Sequence, residues 1–120
     1  SGMAARNAGS TIGSMRNVSV SAMTKNLANL LGPDGINVTV VHPGGTRTER
    51  TAEVIAAAAA KEGVSEETIE QRMANANSIK HFVDAREIAY VVTFLASPRS
   101  IAINGDAVAA GGGLGTAIHY

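Results

Sequence analysis

The run Ile36-Asn37-Val38-Thr39-Val40-Val41 carries Asn37 and Thr39 but is otherwise Val and Ile, and it stops at Pro43-Gly44-Gly45. Continuous β-branched runs of this length belong to strands buried on both faces of a parallel sheet. Only one further segment reads the same way: Asp106 to Ala110, introduced by Ile103-Asn104-Gly105 and followed by Gly111-Gly112-Gly113. Two parallel strands do not make a stable sheet, because that pairing needs more strands and helices over both faces. The chain is therefore expected to be α/β, with a sheet completed by residues upstream or by another chain.

The segments between the strands read as helices. Ser14 to Leu31 is closed by Gly32-Pro33, a strong stop signal. On a helical wheel Val20, Met23, Leu27, Leu30 and Leu31 share one face, and Met15, Val18 and Ala22 form a smaller one nearly opposite. A helix apolar on two sides is covered on two sides, so one face is expected against the sheet and the other against a second helix. A helix from about Thr48 to Glu62 includes the tract Ala56 to Ala60, which reads as plain helix propensity. Gly63 breaks it, and Ser65 caps the next, with Glu66 and Glu67 favourable in the first turn. Asp84-Ala85-Arg86-Glu87 has the form of a capping box. It opens a helix over 85–97 that ends at Ser97-Pro98, with Tyr90 in its middle as a packing residue.

Length and composition narrow the function classes. With 120 residues and an apolar fraction of 45%, the chain suits one domain with one core and is too apolar for disorder. Ten basic and ten acidic residues cancel, so nothing favours nucleic acid or an anionic membrane surface. Without cysteine there is no disulfide, thiolate nucleophile or zinc–cysteine site, and His42 and His81 stand apart from any ligand-spaced partner, so no metal site is expected. No apolar run approaches the ~20 residues of a membrane span, and the start Ser1-Gly2-Met3 shows no charged and apolar leader. A cytoplasmic protein is expected. Ser1-Gly2 ahead of Met3 reads either as two added residues or as the continuation of something longer, and the two-strand organisation favours the second.

Three stretches then resemble one family. "MTKNLANLLGPDGINVTVVHPGGTRTE", residues 23–49, "DAREIAYVVTFLASP" and "INGDAVAAGGG" are similar, in this order and spacing, to the distal half of a short-chain dehydrogenase/reductase domain. The resemblance implies the C-terminal part of a doubly wound, Rossmann-type parallel sheet, incomplete without an N-terminal half. The interface helix would be 14–31, the strand 36–42, the substrate-loop helices 48–80, then the helix 85–97 and the last strand 106–110. In such a domain the strand ending at His42 would meet a nicotinamide of NAD or NADP at its tip. The implied cofactor-binding residues are Pro43, Gly44, Gly45, Thr46 and Thr48. The physical reading agrees, since open α/β sheets bind ligands outside the carboxyl ends of their strands, glycines admit close approach, and a hydroxyl both donates and accepts. Arg47 and Arg50 are candidates for an acidic substrate or the cofactor diphosphate. The long helix would pair with its copy across a twofold axis, giving a dimer or tetramer, and the substrate would be a small carbonyl or alcohol compound.

The pattern fails at the chemistry. The family's tyrosine acid and the lysine four residues later fall, counted back without a gap, at Gly13 and Asn17. Glycine has no side chain, and asparagine has no charge with which to stabilise a phenolate. A catalytic serine falls near Ser1, and the neighbouring Ser14 is too weak an acid to replace a tyrosine unaided. The glycine-rich loop that cradles a diphosphate is also absent, and "GGGLG" at 111–115 is no substitute because it opens no helix. Two readings stand: the distal half of an NAD(P)-dependent oxidoreductase, favoured by Pro43-Gly44 and Thr48, and a non-catalytic binding or assembly relative, favoured by Gly13 and Asn17.

Overall fold

Helix α1, Thr11–Leu31, runs for 21 residues and ends in a 3₁₀ turn, Gly32–Asp34, entered through Pro33. Gly35 follows in the left-handed region (φ 77°), and its N–H donates to the Gly32 carbonyl. The computed structural model describes residues 11–115.

The buried side of α1 overlaps the apolar face of the helical wheel only at Leu27 and Leu31. Thr24 and Ala28 are the buried residues, flanked by half-buried Asn17, Ser21, Leu27 and Leu31, whereas Met23 and Leu30 are 54% and 69% exposed. Small side chains let the helix lie close to the strand, and their hydroxyls are satisfied locally. Thr24 Oγ1 donates to the Val20 carbonyl at 2.9 Å, and Ser21 Oγ to that of Asn17 at 3.3 Å. Met15 and Val18 are also exposed, so most of the circumference of α1 has no cover within the described residues.

Strands β1, Val40–His42, and β2, Ala107–Ala109, pair in parallel, with Val40 opposite Ala107 and His42 opposite Ala109. The expected strand 36–42 is therefore shortened at its start. Residues 36–39 lie alongside the turn at 101–105, where side chains replace the ladder. Asn37 Nδ2 donates to the carbonyls of Ile101 and Ile103, the Val38 N–H donates to Asn104 Oδ1, and Thr39 Oγ1 donates to the Ile103 carbonyl. The two polar interruptions of the strand run are thus the residues that clamp this turn.

Between the strands, α2 (Thr51–Glu62) and α3 (Glu66–Asn75) form a hairpin. Thr51, Ile55 and Ala59 recur at four-residue spacing on the buried face of α2, and Ile55 and Ala59 pack with Ile69, Val64 and Met73. Ala59 therefore has a packing role beyond the helix propensity of its tract. Burying a side chain the size of Ile55 or Ile69 contributes about 1.5–3 kcal/mol. Gly63, at φ 68°, donates to the Ala59 carbonyl, and the Ser65 hydroxyl accepts from the Thr68 N–H. Helix α4, Ala85–Leu95, opens on a complete capping box: the Arg86 N–H donates to Asp84 Oδ1 and the Asp84 N–H to Glu87 Oε2. No residue of α4 is buried and Tyr90 is 66% exposed. Among the described residues no element covers Tyr90, so the packing role expected of it is not met there.

Candidate site at the tip of the first strand

The carboxyl ends of β1 and β2 leave the sheet side by side, and glycine keeps them together. After the Ala110 N–H donates to the His42 carbonyl at 2.9 Å, the chain passes Gly111 directly against Gly44. Gly44 sits at φ 66°, and a Cβ there would lie 2.9 Å from Gly111 Cα. A Cβ on Gly111 would in turn stand 3.2 Å from Gly44 Cα. The close approach that Gly44 permits is thus made by backbone of this chain.

The turn is then locked. Thr46 Oγ1 donates to the carbonyls of Pro43 and Gly44, at 3.3 and 3.5 Å. Arg47 forms a parallel bridge with Asp84: its N–H donates to the Val83 carbonyl at 2.8 Å and its carbonyl accepts from the Ala85 N–H at 3.2 Å. Thr48 donates its N–H to Thr51 Oγ1 at 2.8 Å, and the two threonine hydroxyls lie 3.5 Å apart at the entry to α2.

A cavity of about 400 Å³ opens beside this turn. Gly45, Thr46 and Thr48 line it from the strand tip, Arg50, Thr51 and Val54 from the start of α2, and Met73 and Ala76 from the end of α3. Asn77, Phe82 and Leu114 complete it. Asn77 is 2% exposed and its Nδ2 donates to the His81 carbonyl at 2.6 Å, which holds the corner between α3 and α4. Leu114 is brought in by the glycine tail. The Gly112 carbonyl accepts from the Ile79 N–H and from Ser78 Oγ, and a Cβ on Gly113 would collide with Ser78 Oγ at 1.9 Å. The tail at 111–114 is therefore a wall of the cavity. Its three glycines were the sequence signal for these close approaches, whereas Asn77, Phe82 and Leu114 carried no motif that marks a site.

Of the residues singled out in the sequence, Gly45, Thr46 and Thr48 line the cavity, while Pro43 and Gly44 form the turn beneath them. The two arginines separate. Arg47 is paired with Glu70 of α3 and stands 5.1 Å from the centre of the Phe82 ring, so its charge is already engaged. Arg50 lines the cavity, is exposed, and has no side-chain partner among the described residues. Gly13 and Asn17 lie on α1, half-buried, and neither lines the cavity. Ser1 lies outside the described residues.

One carboxylate near the site has a shifted affinity for protons. Glu87 is held below its ordinary range first by the hydrogen bond from the Asp84 backbone and then by the side chain of His81, whose Nε2 is 2.8 Å from Glu87 Oε2. This fixes the loop from His81 to Asp84 that supplies Phe82 to the cavity.

Comparison with known proteins places the chain in a family. The family model described as enoyl-(acyl carrier protein) reductase matches residues 6–115. The uncharacterized oxidoreductase YvaG of Bacillus subtilis is 35% identical over 97 residues, covering 78% of this chain and 37% of that protein. The NADPH-dependent reductase BacG of the same organism is 30% identical over 100 residues, covering 83% and 39%. The crystal structure of a short chain dehydrogenase family protein from Francisella tularensis superposes with a TM-score of 0.75 at 27% identity, over 83% of this chain and 41% of that one. The chain thus spans about two fifths of the length of the curated relatives it matches. With the parallel pair, the locked Pro-Gly turn and a match over nearly all its residues, the chain belongs to the short-chain dehydrogenase/reductase family.

Proposed function

We propose that this chain supplies the nicotinamide edge and the substrate cavity of an NAD(P)-dependent reductase that interconverts a carbonyl and an alcohol. The observation that carries this reading is the cavity at the carboxyl end of β1, with Gly45, Thr46 and Thr48 in its wall. That is where open α/β sheets bind ligands. These residues fit one edge of a nicotinamide. Gly45 is exposed and presents backbone without a side chain, and the exposed Thr48 offers a hydroxyl able to pair with a carboxamide. Thr46 serves differently, since its proton is committed to the Pro43 and Gly44 carbonyls and holds the turn in shape. When bound, the dinucleotide supplies the hydride. NADPH is the form named for BacG.

The residues of this chain bind and orient. Apolar Val54, Met73, Phe82 and Leu114 offer a surface for an apolar part of the substrate, and α2 and α3 flank the cavity. No tyrosine or lysine among the described residues lines it, so the proton delivered to the carbonyl oxygen comes from water or from a group outside residues 11–115. The active form is a cytoplasmic homo-oligomer, a dimer or tetramer seated on the exposed apolar residues of α1, Met15, Val18 and Met23 among them. No helix among the described residues is long and apolar enough to cross a membrane. The test is oxidation of NADPH by the purified protein with a panel of small ketones. Substrate-dependent oxidation supports the reading, and failure to bind any nicotinamide nucleotide contradicts it.

A further inference from the structure

The two arginines of the strand-tip turn differ in a way that bears on what the cavity accepts. Arg47 is neutralised by Glu70 and stacked near Phe82. Arg50, three residues on, lines the cavity, which Arg47 does not, and its charge has no partner among the described residues. The nearest acidic residues in sequence, Glu49 and Glu53, form no ion pair among the described residues, and none of the described acidic side chains lines the cavity. The rest of the lining is three hydroxyls, the Asn77 amide, Gly45, Ala76 and the larger apolar side chains of Val54, Met73, Phe82 and Leu114. A cavity whose described lining holds one cation and no anion draws a negatively charged group to that cation.

Resting on the reading of the site as a reductase cavity, we propose that its substrate is a carbonyl compound with a short aliphatic body and a carboxylate, the body against Phe82 and Leu114 and the carboxylate on Arg50. Guanidinium and carboxylate match as a two-pronged, charge-assisted pair. The neighbouring Thr48 and Thr51 hydroxyls add polar partners at the same end of the cavity.

The experiment titrates the 120-residue chain with hexanoate, with 1-hexanol and with inorganic pyrophosphate, reading backbone amide shifts of Thr48, Val54, Asn77 and Phe82. The expected result is saturable binding of hexanoate roughly ten-fold tighter than of 1-hexanol. Arg50→Gln removes that preference while leaving 1-hexanol binding in place, and Arg50→Lys keeps part of it. Equal binding of acid and alcohol, or a preference that survives Arg50→Gln, overturns the proposal. So does a response to pyrophosphate but not to hexanoate, which would assign Arg50 to the cofactor diphosphate. None of these readouts needs a nicotinamide. Arg50-dependent hexanoate binding in a protein that binds no nicotinamide nucleotide would therefore sink the reductase reading and leave the carboxylate site standing.

Discussion

Gly44 and Gly111 meet backbone to backbone across the ends of two parallel strands, so close that a methyl on Gly44 would come within 2.9 Å of Gly111 Cα. This relationship sets the shape of the turn that carries Gly45, Thr46 and Thr48 into the cavity. Gly44→Ala meets both a left-handed φ of 66° and a backbone atom with no room to yield. A loss of about 1–3 kcal/mol is expected in chemical denaturation. Gly111→Ala, with a longer 3.2 Å approach and no positive φ, is expected to cost less. Equal stability of Gly44→Ala and the unmodified chain would contradict this description of the turn.

Asn77 holds the corner from which the cavity floor is built. It is 2% exposed and donates from Nδ2 to the His81 carbonyl. Asn77→Ala leaves that carbonyl without its donor, and a destabilisation of about 1–3 kcal/mol follows for an abandoned buried hydrogen bond. The same substitution is expected to broaden the amide signals of His81 and Phe82. Unchanged denaturation midpoint and signals would show that the corner is held by other means.

The cap of α4 gives a pH dependence of known sign. Glu87 has a folded-state pKa below the ordinary 4.5, because its carboxylate accepts from the Asp84 N–H and faces His81. A depressed carboxylate pKa contributes stability above the unfolded value, and that contribution is lost as pH falls through the folded one. Thermal midpoints should therefore fall below about pH 4.5. In Glu87→Gln this component of the acid sensitivity should be smaller. Asp84→Ala, which removes the other half of the box, should cost about 0.5–2 kcal/mol near neutral pH. An acid profile identical in Glu87→Gln and the unmodified chain would exclude the carboxylate as its source.

The Arg47–Glu70 pair ties the strand-tip turn to α3, but both side chains are more than a third exposed. Its worth is about 0–1 kcal/mol. Glu70→Gln should barely move the denaturation midpoint. It should instead loosen the turn, seen as faster hydrogen exchange at the Arg47 N–H, which is bonded to the Val83 carbonyl. A midpoint loss well beyond that range would show that the pair is more deeply shielded than its exposure indicates.

What was legible in the sequence was local. The stop at Gly32-Pro33, the left-handed Gly63, the Ser65 cap and the Asp84/Glu87 box all act over a few residues, and each stands as a short pattern in the chain. The α/β class and the family were legible for a different reason, because the parallel β-branched run and its Pro-Gly exit occur at a fixed spacing from the last strand. The packed face of α1 was not legible. Hydrophobicity pointed to Met23 and Leu30, but Thr24 and Ala28 are buried, because small residues admit the close approach of helix to strand. Nor was the division between Arg47 and Arg50, since the partner of Arg47 lies 23 residues away on another helix. The cavity wall at Leu114 depends on contacts between Ser78 and the glycine tail, which no local pattern encodes.

The central claim is that the turn at the tip of β1 holds a nicotinamide. Reduced nicotinamide mononucleotide tests it most directly, because that probe carries the ring without the diphosphate bridge and adenosine, for which this chain has no glycine-rich loop. Titrated into the isotope-labelled chain, it should shift the amides of Gly45, Thr46 and Thr48 saturably, with weaker binding in Thr48→Ala. Shifts confined to other surfaces, or a response untouched by Thr48→Ala, would contradict the account.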